Sequence, residues 1–337
     1  MKELNLWILI LCIVLLFPVI YNTKNDVSAS QNSPATSAST IFNAKNYEES
    51  ISNEAMCNLS AEASDTKIVK DLFSAFMPIK NNIVDGWIHV YEEYKESGLS
   101  FSFWVNKYDS TTYALVFSGT DEFKDTLQYV PMETSKNFST QMIEAITATK
   151  NIQTYIDNKK SLKPQTSQIY GDVNKLFITG HSLGGYLSMF VTSEIIDSAL
   201  KGQASRIDIS EVSTSLEISN LKCITFGAPG MYSSGTCKIA GITVNLTAWQ
   251  QRKVQYNNDK LYDPYIVQYV NSLDPVGNLL PNHFRHLGRR VDLQVQKTSA
   301  STTIYFFKQK PLTFLPAWGA SVYYHMPWVY IPLLEKL

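Results

Sequence analysis

Apolar residues recur along this chain in two rhythms. A period of two marks Leu99, Phe101, Phe103 and Val105, which alternate with smaller or polar residues and predict a half-buried strand. Short apolar runs at 113–117, 175–179, 221–226 and 266–270 predict central strands, the first three closed by Ser118-Gly119-Thr120, Gly180 and Gly227-Ala228-Pro229. Between them the spacing turns helical. Met142, Ile143, Ile146, Ile152 and Ile156 predict one long amphipathic helix, and Leu183, Leu187, Phe190, Val191, Ile195 and Ile196 predict another. Residues 41–80 carry a weaker helical pattern, and 230–262 are irregular enough to suggest an insertion. Val291, Leu293 and Val295 alternate again, with 302–307 expected to pair with them as a late hairpin. Pro327 stands where the first turn of a C-terminal helix tolerates proline. Strands alternating with helices predict an α/β domain, with a mostly parallel central sheet and helices on both faces.

One stretch stands outside this alternation. Residues 6–20 are apolar save for Pro18, too short for a spanning helix and right for the core of a signal peptide. Val27-Ser28-Ala29 offers small residues for cleavage. Residues 1–29 are therefore expected to be a signal peptide and the protein to be secreted; an uncleaved membrane anchor is the alternative. Residues 30–40, within a stretch rich in Ser, Thr, Ala and Asn, read as a flexible linker, leaving 41–337 as one catalytic domain.

Composition narrows the function classes. Hydrophobic residues make up 45% and charged residues 18%, which gives a sizeable core. The formal net charge of -1 lacks the basic field of a nucleic-acid binder, and an uncharged or zwitterionic partner fits better. Past the signal segment three cysteines remain, Cys57, Cys223 and Cys237, so at most one intrachain disulfide is possible. Cys223, in an apolar run, reads as a buried free thiol, and no Cys/His cluster suggests a zinc site. Asn58, Asn137 and Asn245 begin Asn-x-Ser/Thr triplets.

The chemistry concentrates in Gly180-His181-Ser182-Leu183-Gly184, a Gly-x-Ser-x-Gly run between an expected strand and an expected helix. Such a serine must sit on a sharp turn with its hydroxyl above the sheet edge, and strand and helix then approach so closely that only very small residues fit two positions either side. The turn also aims the N–H of Leu183 at a developing oxyanion. This setting is the one expected of the nucleophile elbow of an α/β-hydrolase fold.

Further segments agree in order. The elbow, together with Val116-Phe117-Ser118-Gly119-Thr120-Asp121, Ile224-Thr225-Phe226-Gly227-Ala228-Pro229, residues 269–276 around Asp274, Phe284-Arg285-His286-Leu287-Gly288 and residues 324–330 around His325, resembles the class 3 (fungal-type) lipases over about residues 100–330. The resemblance implies an oxyanion donor at Thr120 beside that of Leu183, the catalytic acid at Asp274 and the histidine at His325. One departure stands out: the family commonly has Trp after the position of Asp125, where this chain has Thr126.

Chain order makes the same choice among candidates. An α/β-hydrolase runs Ser, Asp, His. His89 precedes Ser182, His181 adjoins it and should point away, and His283 and His286 follow Asp274 so closely that they suit loop shaping. His325 remains. Asp263 precedes the strand at 266–270 and reads as a turn residue, whereas Asp274 follows that strand at the edge where open α/β sheets build sites. The mechanism needs no metal or cofactor. Phe123, Leu127 and Val130 give 121–132 one apolar helical face, either a lid over a lipid-facing cleft or an ordinary buried stripe. The expected activity is carboxylic-ester hydrolysis, on acylglycerols first, at a lipid–water interface, with no obligate protein partner. Phospholipase A1 or feruloyl-type esterase activity, an acyltransferase, and a non-catalytic lipid-binding protein on the same fold are the alternatives.

Overall fold

The computed structural model describes residues 44–63, 86–119, 138–162, 169–201, 206–232, 236–239, 242–274, 276–278, 284–294, 325 and 327–334. The expected signal segment and linker, Thr120, the 121–132 stretch, His283 and the expected hairpin partner at 302–307 all lie outside these residues.

Seven strands form one sheet: β1 (Trp87–Tyr94), β2 (Ser100–Asn106), β3 (Thr112–Phe117), β4 (Lys175–His181), β5 (Leu221–Phe226), β6 (Ile266–Asn271) and β7 (Arg289–Leu293). They lie side by side in chain order. β1, β2 and β3 pair antiparallel, and every later pair is parallel. β3 is buried at all six positions, which is why it reads as an unbroken apolar run rather than an alternating one. β1 escaped the sequence reading for the opposite reason: on the edge of the sheet it mixes Trp87 and Val90 with half-buried and exposed Glu92 and Glu93.

The unreversed strand order decides where the helices go. Crossovers between parallel neighbours are right-handed, so a sheet that grows in one direction sends each of them over the same face. After α1 (Ala44–Ser50) and α2 (Asn53–Ala63), the crossover helices α3 (Thr140–Lys150), α4 (Ile152–Leu162), α5 (Leu183–Lys201) and α6 (Ala248–Asn258) meet Tyr113, Leu115, Phe117, Leu176, Ile178 and Cys223 on that face. The second face needs another cover. It comes from α2 near one end of the chain and α7 (Pro327–Leu334) at the other, with Met56, Leu59, Tyr330 and Leu334 packed on Val116, Phe177, Ile224 and Phe226. Ser60 Oγ and Thr179 Oγ1 share a hydrogen bond of 2.9 Å, pinning α2 to β4. The architecture is thus the expected mostly parallel sheet with helices on both faces.

Two expectations change in detail. The single helix expected across 142–156 is two, because Asn151 caps α3 with φ -88° and ψ 8° before α4 begins. The stretch 230–262 is not irregular: it holds a two-stranded hairpin, Thr236–Ile239 with Ile242–Asn245, and then α6, started by a capping box between Thr247 and Gln250. α6 shows little apolar periodicity because charge fastens it as well. Its buried Lys253 bonds Glu194 at 2.8 Å and Asp197 at 2.6 Å on α5, and Tyr262 Oη donates to Asp197 at 2.7 Å. Cys57 and Cys223 are both buried, and Cys223 is a free thiol, as expected. Burial raises both thiols, Cys223 to about 12.

Candidate active site

The register brings four strand ends to one edge. Phe117 lies opposite Gly180, His181 opposite Phe226, and Phe226 opposite Tyr269. Whatever follows β3, β4, β5 and β6 therefore converges there, as in other open α/β sheets.

Ser182 follows β4 directly and has φ +57°, in the left-handed region that costs an L-residue roughly 1–2 kcal/mol. Two main-chain bonds hold it there: its N–H donates to Phe226 O at 3.0 Å, and Tyr186 N–H donates to its carbonyl at 3.1 Å. The flanking glycines are required by close approach. A Cβ on Gly184 would stand 2.1 Å from Phe117 O, and one on Gly180 would stand 2.5 Å from the main chain of Gly184. Leu183 opens α5, so its N–H is among the first-turn groups without an intrahelical partner. Thr120, the other expected donor, lies outside the described residues.

Three expected residues meet. His325 Nε2 is 2.9 Å from Ser182 Oγ, and His325 Nδ1 is 2.9 Å and 3.0 Å from the two carboxylate oxygens of Asp274. The carboxylate accepts, so Nδ1 carries a hydrogen and Nε2 is left to accept the serine proton. Asp274 is 1% exposed. Burial alone would raise its pKa, but the His325 ring, the bonds from His325 and Tyr330, and the Gly277 N–H outweigh it and hold the carboxyl below its ordinary value. Asp274 Oδ1 also accepts from Val276 N–H at 2.8 Å and Gly277 N–H at 3.2 Å. A carboxylate held this way can orient a histidine and stabilise its cation, and a histidine held this way can draw a proton from serine.

The rejected candidates fall elsewhere. His286 is buried and donates from Nε2 to Ala228 O at 2.9 Å; burial is the main cause lowering its pKa to about 4. His89 lies on β1, where its ring meets Trp104 edge-on. Asp263 sits in the turn before β6, at the opposite end of that strand from Asp274.

Three contributors were not singled out from the sequence. Tyr330 Oη donates to Asp274 Oδ2 and accepts Asn271 N–H at 3.2 Å. Gly227, at φ +57°, keeps a space open, since a Cβ there would stand 2.6 Å from Asp274 Oδ2 and 3.2 Å from His325 Nδ1. His181, weighed in the sequence only as a base, bonds the main-chain oxygen of His325 through Nε2. Tyr330 and Gly227 stand inside segments already of interest, yet no spacing rule says which aromatic of a C-terminal helix reaches a carboxylate. Among the described residues no group of three or more His, Cys, Asp and Glu could hold a metal ion, and no helix is long and apolar enough to cross a membrane.

Residues 43–283 match the family described as Lipase (class 3), a stretch that includes Ser182 and Asp274 and ends before His325. The chain belongs to the class 3 lipase family. Membership puts it among lipase-type carboxylic-ester hydrolases. It is similar to the solved structure of the Rhizomucor miehei lipase propeptide complex, at 15% identity over 74% of this chain and 69% of that one, with a TM-score of 0.43. Similar too are lipase II from Rhizopus niveus, at 15% identity over 72% and 79% with a TM-score of 0.41, and the Lip2 lipase of Yarrowia lipolytica, at 16% over 75% and 80% with a TM-score of 0.38. A comparison with curated proteins finds no match.

Proposed function

We propose that this class 3 lipase is a serine hydrolase that cleaves acylglycerol esters through an acyl-enzyme on Ser182. The observation that carries the reading is the unbroken hydrogen-bond series from Ser182 Oγ through His325 to Asp274. Ser182 Oγ attacks the ester carbonyl carbon as its proton passes to His325 Nε2, and Asp274 stabilises the imidazolium. The N–H of Leu183, and that of Thr120 by the family resemblance, take up the oxyanion; losing one such donor costs about 10²–10³ in rate. The intermediate collapses, the alcohol leaves with the proton from His325, and the acyl group stays on Ser182. Water then adds to the acyl carbon, giving a proton to His325. The acid departs as Ser182 regains its hydrogen.

The test is hydrolysis of tributyrin and of p-nitrophenyl esters of graded chain length, wild type beside Ser182→Ala and His325→Ala, with phosphatidylcholine and a feruloyl ester as rival substrates. Both variants are expected to fold and to lose ester hydrolysis, and wild type to prefer the glyceride. Activity in Ser182→Ala equal to wild type would sink the reading. A preference for phosphatidylcholine or the feruloyl ester would move the substrate class and leave the chemistry. Secretion belongs to the same proposal: the exported protein should begin near residue 30.

A further inference from the structure

We infer that His181 is a positioning residue: its ring N–H holds the main-chain carbonyl of His325, and so keeps the imidazole of His325 in line with Ser182. The inference rests on the ester-hydrolase reading of the site.

The first support is connectivity. His181 and Ser182 are adjacent at the end of β4. Ser182 Oγ meets the His325 ring, and His181 Nε2 meets the His325 peptide. Ring and backbone of one residue are thus referenced to neighbouring residues of one strand end. A shift of that strand end carries nucleophile and base together and preserves their 2.9 Å separation. Misplacing a reacting group by about 1 Å can cost about 10²-fold in rate, so a shared reference has catalytic value.

The second support is chemical fit. A carbonyl only accepts, so His181 must carry its hydrogen on Nε2. The ring is 4% exposed, with the His325 ring centroid at 4.6 Å and the Tyr330 ring at 6.2 Å. A neutral His181 is needed here, because a charged one would oppose the imidazolium that forms on His325 during the reaction. Burial first, and the neighbouring His325 second, hold the His181 pKa to about 3. A phenylalanine would fill the same space, so the hydrogen is the feature that separates a tether from packing.

The experiment compares wild type, His181→Phe and His181→Gln. Phe keeps the volume without the donor, whereas the Gln amide restores one at similar reach. His181→Phe is expected to lose about 10²-fold in kcat with KM unchanged, and His181→Gln to recover most of that loss. Full kcat in His181→Phe, equal losses in both variants, or a loss confined to KM would each overturn the tether. A second measurement stands whether or not the variants fold. In wild type labelled with ¹⁵N-histidine, His181 should show the neutral tautomer protonated on Nε2; an imidazolium at neutral pH or the Nδ1–H tautomer would overturn it as well. The function reading fails separately, through unimpaired hydrolysis in Ser182→Ala, which leaves the tautomer result intact.

Discussion

Tyr330 Oη donates to Asp274 Oδ2, the carboxylate oxygen opposite the one that takes the main-chain N–H groups of Val276 and Gly277. With His325 on both oxygens and Val276 and Gly277 on Oδ1, the buried carboxylate is fully engaged. The terminal helix α7 therefore does more than cover the second face of the sheet. It brings Tyr330 to the acid and, just before its start, His325 to the serine.

Tyr330→Phe should weaken both fold and activity. It deprives Asp274 of a donor and the Asn271 N–H of an acceptor, a loss of about 1–3 kcal/mol in unfolding free energy by urea denaturation. The sign of the pH effect follows. The Tyr330 bond lowers the Asp274 pKa, so removing it raises that pKa, and the acid limb of kcat/KM should move to higher pH. A variant with wild-type stability and an unmoved limb would show the bond to be idle.

Gly227→Ala tests the space beside the histidine. Alanine at φ +57° is strained by roughly 1–2 kcal/mol, and its methyl would stand 2.6 Å from Asp274 Oδ2 and 2.9 Å from Tyr330 Oη. Either the carboxylate or the tyrosine must move. Ester hydrolysis should fall by about 10² or more while the protein still melts cooperatively. Wild-type turnover in this variant would contradict the geometry.

The parts of this architecture that were legible in the sequence are those where one physical demand fixes residue type and spacing together. Gly180, Ser182 and Gly184 announced the elbow because the approach of strand and helix excludes a Cβ. Asp274 was legible because the strand before it was, and chain order then left His325. Tyr330 and the His181 tether were not legible, since each depends on where β4 and α7 meet in space. β1 and α6 were missed for a related reason: an edge strand and a helix held by Lys253 do not display the apolar pattern of their kind.

Lys253→Met should destabilise the protein without touching the chemistry. It leaves Glu194 and Asp197 without a lysine that is itself 1% exposed, and breaking a buried pair in this way costs about 3–5 kcal/mol. The loss should appear as a lower urea midpoint, with kcat per folded molecule unchanged. A neutral effect on stability would mean that the lysine's bonds to Glu194 and Asp197 add nothing net to the fold.

Acid should destabilise the fold through its buried histidines before it reaches the carboxylates. Burial is the main cause that lowers His181 to about 3 and His286 to about 4, against an ordinary value of 6.5. Above about 6.5 both are neutral, folded or unfolded, and contribute no pH dependence. As pH falls below that value the unfolded chain binds protons that the native state refuses. Stability then drops by about 1.4 kcal/mol per pH unit for each histidine. The loss from His286 ends near pH 4, where the native state also protonates, and that from His181 near pH 3. His89, lowered mainly by burial, adds in the same direction. Asp274, held low, loses its contribution only as pH falls through the carboxylate range. His286→Gln retains a donor for Ala228 O and removes one titration. Urea unfolding from pH 4.5 to 7.5 should therefore give a shallower acid slope in the variant, by about 1.4 kcal/mol per pH unit. An unchanged slope would mean that His286 already protonates in the folded protein, and the bond to Ala228 O would then have to hold a charged ring.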